Sequence, residues 1–290
     1  MPSPTILHGL AEVAAEYDAL LCDVWGVVHN GREAFLPACE ALAAFRAERG
    51  PVILISNAPR PAADVTPQLD ALGVPRAAWS GVVTSGDATR ELLAARAPGP
   101  AWAIGPERDW PLYEGLGLAF AGPADAAFIA CTGPVDDTVE TPEDYRERLE
   151  SGAARGLVMI CANPDRVVQR GERLVYCGGA LADLYAELGG RVVMAGKPHA
   201  PIYRLALTCA SGAAGRPLAR ERVLSIGDGV ATDLAGAAAQ GLDALFVAHG
   251  IHAAELETGE GDLHPDRLAA FLDAERAEAR FAMRALAWRR

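Results

Sequence analysis

Six short, predominantly apolar runs set the limits on what this chain can fold into. They occupy residues 19–22, 52–55, 82–84, 191–194, 223–226 and 244–247. Each is continuous rather than alternating, which is how a parallel strand covered on both faces reads. Helical patterns separate many of them. After Pro201, which suits a first helical turn, apolar residues fall at Ile202, Leu205, Ala206 and Cys209, the i, i+3, i+4, i+7 spacing of one helix face. Strands alternating with helices predict an α/β protein built on a doubly wound parallel sheet.

Between about Gly86 and Gly190 the chain changes character and is richer in Pro, Gly and loop signals. This stretch has strand candidates of its own at 102–104, 127–130 and 157–161, and helix candidates near 142–151 and 181–188. The reading is a core domain over 1–85 and 191–290, interrupted by a smaller α/β domain over 86–190. A length of 290 residues accommodates both. The Ala/Glu/Arg-rich stretch from about Pro265 is expected to be helical.

The balance of charge narrows the function classes. A hydrophobic fraction of 51% with 22% charged residues is that of a soluble globular protein. The net charge of −12 comes with no basic patch, so nucleic acid is not an expected partner. The N-terminal residues lack a basic segment and a continuous apolar one, and no apolar run approaches the ~20 residues that span a bilayer. No membrane association is expected, and the cytoplasm is the expected location. Six cysteines form no C-x-x-C pair and no zinc-spaced cluster with histidine, and read as buried thiols.

Four strand ends carry the chemistry. In "ALLCDVWGVVHNG" a strand ends at Asp23 and a turn follows at Gly26. Ligands of open α/β sheets bind beyond the carboxyl ends of strands, so Asp23 stands where a nucleophile belongs; a turn cap is the plainer alternative. In "VILISNAP" the hydroxyl of Ser56 and the amide of Asn57, with nearby backbone N–H groups, can cradle a phosphate, although both are common turn residues. In "VVMAGKPHAP", Lys197 either offsets the charge of a bound phosphate or is a solvated surface lysine. In "VLSIGDGVATDLAGAAAQG", Asp228 offers oxygen to a hard cation such as Mg²⁺. Asp233 either supports the same ion or caps a helix. A dinucleotide-binding turn is rejected, because Thr232 stands at the third glycine position and carboxylates there would repel a pyrophosphate. Together these groups are the equipment for phosphoryl transfer through a covalent aspartyl-phosphate.

In this order the four sites resemble motifs I to IV of the haloacid dehalogenase superfamily. The long insert between "ISNAP" and "AGKPH" resembles the cap of its class IIA branch, that of 4-nitrophenylphosphatase, pyridoxal phosphatase and ribonucleotide phosphatase. "VVTSGDAT" and "CANPDRVVQRGERLVYCGGALADLY" extend the likeness, which runs to about Gly250. The resemblance implies that Asp23 attacks phosphorus. It implies that Mg²⁺ is held by Asp23, the backbone carbonyl of Trp25 and Asp228, with Asp233 in support. Ser56, Asn57 and Lys197 would bind the phosphoryl group of a small phosphorylated metabolite. Asn163, Asp165 and Arg166 would be cap contacts to substrate, or else a proline-containing turn with a surface arginine. A cap-to-cap homodimer also follows from the resemblance alone.

One position departs from the pattern. Family phosphatases read Asp-x-Asp at motif I, and the second carboxylate serves as general acid/base; this chain reads Asp23-Val24-Trp25. An indole has a donor but no proton that titrates near neutrality. General acid–base catalysis is worth roughly 10²–10⁴-fold. Several outcomes follow. Substrates with good leaving groups are one. His29 as replacement acid/base is another, the alternative for His29 being a loop residue or substrate contact. Trp25 itself could pack on a substrate ring. A different reaction, on a carbon–halogen or carbon–phosphorus bond, and a catalytically weak relative that binds a phosphorylated ligand as sensor or partner, stay open at this point.

Overall fold

A computed structural model describes residues 3–170, 173–249, 256 and 263–289. Its strands, in chain order, are β1 (Thr5–Ile6), β2 (Ala19–Asp23), β3 (Val52–Ser56), β4 (Gly81–Thr84), β5 (Ala101–Ile104), β6 (Phe128–Cys131), β7 (Val158–Cys161), β8 (Val167–Arg170), β9 (Arg173–Tyr176), β10 (Arg191–Met194), β11 (Val223–Gly227), β12 (Asp243–Val247) and β13 (Phe281–Met283). Contacts divide the chain into two units. One comprises Met1–Ser56, Thr66–Val83 and Tyr203–Arg290; the other comprises Asn57–Val65 and Thr84–Ile202.

The first unit is built on a seven-stranded sheet in the order β1-β13-β12-β11-β2-β3-β4. The β11, β2 and β3 strands run parallel at its centre and are buried along their whole length, as their predominantly apolar sequences require. Crossover helices at Leu36–Glu48 and Ala235–Gln240 belong to the doubly wound arrangement. In helix Ala200–Ala214 the residues buried completely are Ile202, Tyr203, Ala206 and Ala210, whereas Leu205 is exposed, so the inward face is rotated from the one expected.

The second unit has its own parallel sheet, β10-β7-β6-β5, and a separate antiparallel hairpin, β8-β9. Alternation along its strands feeds two apolar cores. Ile129, Cys131, Met159 and Cys161 join Tyr145, Leu149, Leu181 and Tyr185 on one face. Phe128, Ala130 and Ile160 join Leu93, Leu112 and Tyr113 on the other.

Two readings of the sequence are corrected. Residues 191–194, expected in the main sheet and in the second part of the core, form the edge strand β10 of the smaller sheet, paired with β7. Its residues are half-buried or exposed, so an apolar edge had been read as a doubly covered strand. The C-terminal stretch is helical only over Pro265–Ala274; it then supplies β13, which lies between β1 and β12. Strands of two or three residues carry too little pattern to be recognised from sequence.

Candidate active site

The central strands of the seven-stranded sheet bring three carboxylates together. Asp23 is the last residue of β2, opposite Ile55 of β3, and Ser56 ends β3 beside it. On the other side Ile226 of β11 pairs with Cys22, so Asp228 emerges just past the same edge. Asp233 follows in a π-helical turn, Val230–Leu234, in which the Leu234 N–H bonds to Gly229 O five residues back. Asp23, Asp228 and Asp233 are all buried, and each offers an oxygen within 4.8 Å of the others.

Glycines make this crowding feasible. A Cβ on Gly26 would lie 2.2 Å from Asp228 Oδ2, and one on Gly227 would lie 2.2 Å from Asp233 Cγ. The Gly229 N–H donates to Asp233 Oδ2 at 3.2 Å, as does the Thr232 hydroxyl at 3.3 Å. Gly26 and the G-D-G sequence therefore leave room for the buried Asp228 carboxylate and for a second one, Asp233, behind it.

The motif I turn is tied locally. Val28 and His29 donate their N–H groups to Val24 O, and Gly26 donates to His29 O. The rings of Trp25 and His29 meet edge to face at 5.0 Å. His29 is buried, its Nδ1 accepts the Gly31 N–H at 3.0 Å, and burial pushes its pKa down to about 4. A neutral imidazole with one nitrogen committed to the backbone is poorly fitted to donate a proton at neutral pH. The geometry gives His29 a structural role and speaks against the acid/base role raised from sequence.

In the second unit a separate polar cluster forms. The Asn57 side chain accepts the Lys197 N–H at Oδ1 (2.8 Å), and its Nδ2 donates to Asp165 Oδ1 (2.8 Å) and to Lys197 O (3.3 Å). Both faces of this amide are thus spent on the protein. The expectation that the side chain itself cradles phosphate does not match this arrangement. Lys197 is buried, and it follows β10 of the smaller sheet, not a strand of the main sheet as expected. Asn163 Oδ1 accepts the Asp165 N–H at 3.1 Å, closing the Asn-Pro-Asp turn. Arg166 points elsewhere: its side chain is exposed and paired with Asp183 on the surface.

Two family models match the chain, a haloacid dehalogenase-like hydrolase over residues 20–119 and a HAD-hydrolase-like model over residues 194–273. A solved haloacid dehalogenase-like hydrolase from Brucella suis 1330 is 45% identical, covers 99% of this chain and 100% of its own, and superposes with a TM-score of 0.85. This chain belongs to the haloacid dehalogenase-like hydrolases. Within them it is 30% identical over 254 residues to a D-glycerol 3-phosphate phosphatase of Mycobacterium tuberculosis, spanning 84% of this chain and 67% of that protein. A glycerol phosphate phosphatase structure from the same organism, in complex with calcium, is 26% identical over 82% of this chain and 68% of its own, with a TM-score of 0.61.

For a haloacid dehalogenase-like hydrolase the carboxylate trio is a fitting cation site. Three buried acidic oxygens so close together would repel one another, and an all-oxygen donor set suits a hard divalent ion. Sequence reading missed Gly26 as part of this site. Its signal was present, a glycine three residues after the strand-ending Asp23, but the Asp228 carboxylate it makes room for lies some two hundred residues away. No helix among the described residues is long and apolar enough to cross a membrane.

Proposed function

We propose that this hydrolase is a Mg²⁺-dependent phosphatase of small phosphate monoesters, acting through an aspartyl-phosphate on Asp23. The observation that carries this reading is the buried meeting of Asp23, Asp228 and Asp233. The phosphatase names of its relatives support it. Asp23, Asp228 and the Trp25 carbonyl would hold the cation, with Asp233 behind them. When bound, the ion supplies charge neutralisation for the nucleophile and the phosphoryl oxygens.

In this mechanism an Asp23 oxygen attacks phosphorus as the P–O bond to the leaving group breaks, and the leaving oxygen departs with the bonding pair. Water then attacks the phosphorus of the acyl phosphate, releasing inorganic phosphate and regenerating the Asp23 carboxylate. By family resemblance Ser56 and Lys197 would each bind the transferring group, and the Asn57 side chain fixes the backbone at the buried Lys197. Trp25 cannot protonate the departing oxygen, so esters of acidic alcohols, phenols or acyl groups are the favoured substrates.

The test is hydrolysis of 4-nitrophenyl phosphate with Mg²⁺, with EDTA, and in Asp23→Asn. Turnover that needs the metal and disappears in the variant is expected. A metal-stimulated rate that survives Asp23→Asn would remove Asp23 as nucleophile. Ligand-induced melting shifts without phosphate release would favour a binding protein instead.

A further inference from the structure

The Asn-Pro-Asp turn that follows β7 and the Gly-Lys-Pro turn that follows β10 are joined through one side chain. Asn57 accepts from the Lys197 N–H and donates to both Lys197 O and Asp165 Oδ1. The orientation of this amide is dictated by its surroundings: a backbone N–H can only donate and an ionised carboxylate can only accept, so oxygen must face the first and nitrogen the second. The bond to the carboxylate is charge-assisted, roughly twice as strong as a neutral one.

Asp165 is itself held. Its N–H is bound by Asn163 Oδ1, and its carbonyl accepts the Gly179 N–H at 2.9 Å. Gly179 permits that approach, because a Cβ there would lie 2.1 Å from Pro164 O. At the other end of the link, a Cβ on Gly196 would lie 2.7 Å from Asn57 Oδ1 and 2.8 Å from Pro164 Cγ. The two turns are therefore in contact at residues too small to be replaced.

We infer that Asp165 is a positioning residue for Lys197: it fixes the Asn57 amide, and Asn57 fixes the backbone from which the Lys197 ammonium extends. This differs from the role of substrate contact suggested by sequence. The difference has a sign. A carboxylate touching an anionic substrate would repel it, so its removal would leave phosphate binding unchanged or tighter. A carboxylate acting through Asn57 on Lys197 would, when removed, weaken phosphate binding.

The value of the link to the reaction rests on the phosphatase reading, but its existence does not, and two measurements separate them. The first is hydrogen exchange at the Lys197 backbone amide in the full-length protein. Asp165→Ala should exchange at least tenfold faster than wild type. Asp165→Asn, which keeps an oxygen for Asn57 Nδ2, should stay within threefold. The second is inorganic phosphate affinity, by calorimetry with Mg²⁺ present. Asp165→Ala should lose about fivefold to tenfold, and should add no loss to that of Lys197→Ala when the two are combined. If Asp165→Ala does not fold, Asp165→Ser replaces it, since its side chain is too short to span to Asn57. Unchanged Lys197 exchange in Asp165→Ala overturns the inference, as does phosphate affinity that stays level or rises. A wild-type protein that neither binds phosphate nor hydrolyses 4-nitrophenyl phosphate sinks the phosphatase reading instead, and the exchange result then decides the link alone.

Discussion

Gly26 and Asp228 stand so close that a Cβ added to Gly26 would lie 2.2 Å from Asp228 Oδ2. Gly26 also has a φ of 85°, a left-handed conformation that a side chain disfavours. Gly26→Ala should therefore act twice. Backbone strain should cost about 1 kcal/mol, lowering the melting temperature by about 2–4 °C. Displacement of the Asp228 carboxylate should weaken divalent-cation affinity at least tenfold. Calorimetric titration with Mg²⁺ beside a thermal melt checks both. A variant that melts lower but binds Mg²⁺ normally would show that the contact is steric only.

Three buried carboxylates within 4.8 Å of one another make the cation-free protein bear its own repulsion. Asp228→Asn should raise the melting temperature measured in EDTA while abolishing the rise that Mg²⁺ produces. In wild type that rise corresponds to about 2.7 kcal/mol at a hundredfold excess over Kd. Paired melts with EDTA and with Mg²⁺ decide it. A destabilised metal-free variant would mean that Asp228 is held by partners more than it is repelled.

By resemblance to the family's motif I, Trp25 would stand in place of the acid/base carboxylate; its ring lies over Gly31, 2.6 Å from where a Cβ would be. If the missing acid limits the rate, Trp25→Asp should raise the ratio of glycerol 3-phosphate to 4-nitrophenyl phosphate hydrolysis by tenfold or more, because only the poorer leaving group needs the proton. Comparison of kcat on the two esters is the check. An unchanged ratio would show that leaving-group protonation does not control this enzyme.

His29 titrates at about 4 in the folded chain because of burial, against about 6.5 when unfolded. The unfolded chain thus binds more protons between these values, and stability falls as pH drops from about 6.5 to about 4, at up to ~1.4 kcal/mol per pH unit. Above 6.5 His29 contributes no slope. In His29→Asn, whose Oδ1 can accept the Gly31 N–H as Nδ1 does, this part of the pH dependence should vanish. Urea unfolding at a series of pH values measures it. The same slope in the variant would assign the effect to another group.

The sequence by itself determined the class of fold and the chemical inventory. Predominantly apolar runs at β2, β3 and β11 need cover on both faces, which gives a parallel sheet, and each leads to a polar residue at or just past its end, where that architecture places ligands. Asp23, Ser56 and Asp228 were legible for that reason, since each is tied to a strand end by its immediate neighbours, and Asp233 follows in the turn after Asp228. What pairs with what was decided only in three dimensions. The strand β10 reads like a core strand yet joins the smaller sheet, taking Lys197 with it, because register and partner are set by tertiary packing and not by composition. Likewise Asn57 was legible as a polar turn residue. That its amide is committed to Asp165 and Lys197, more than a hundred positions away, depends on distances that no local pattern encodes.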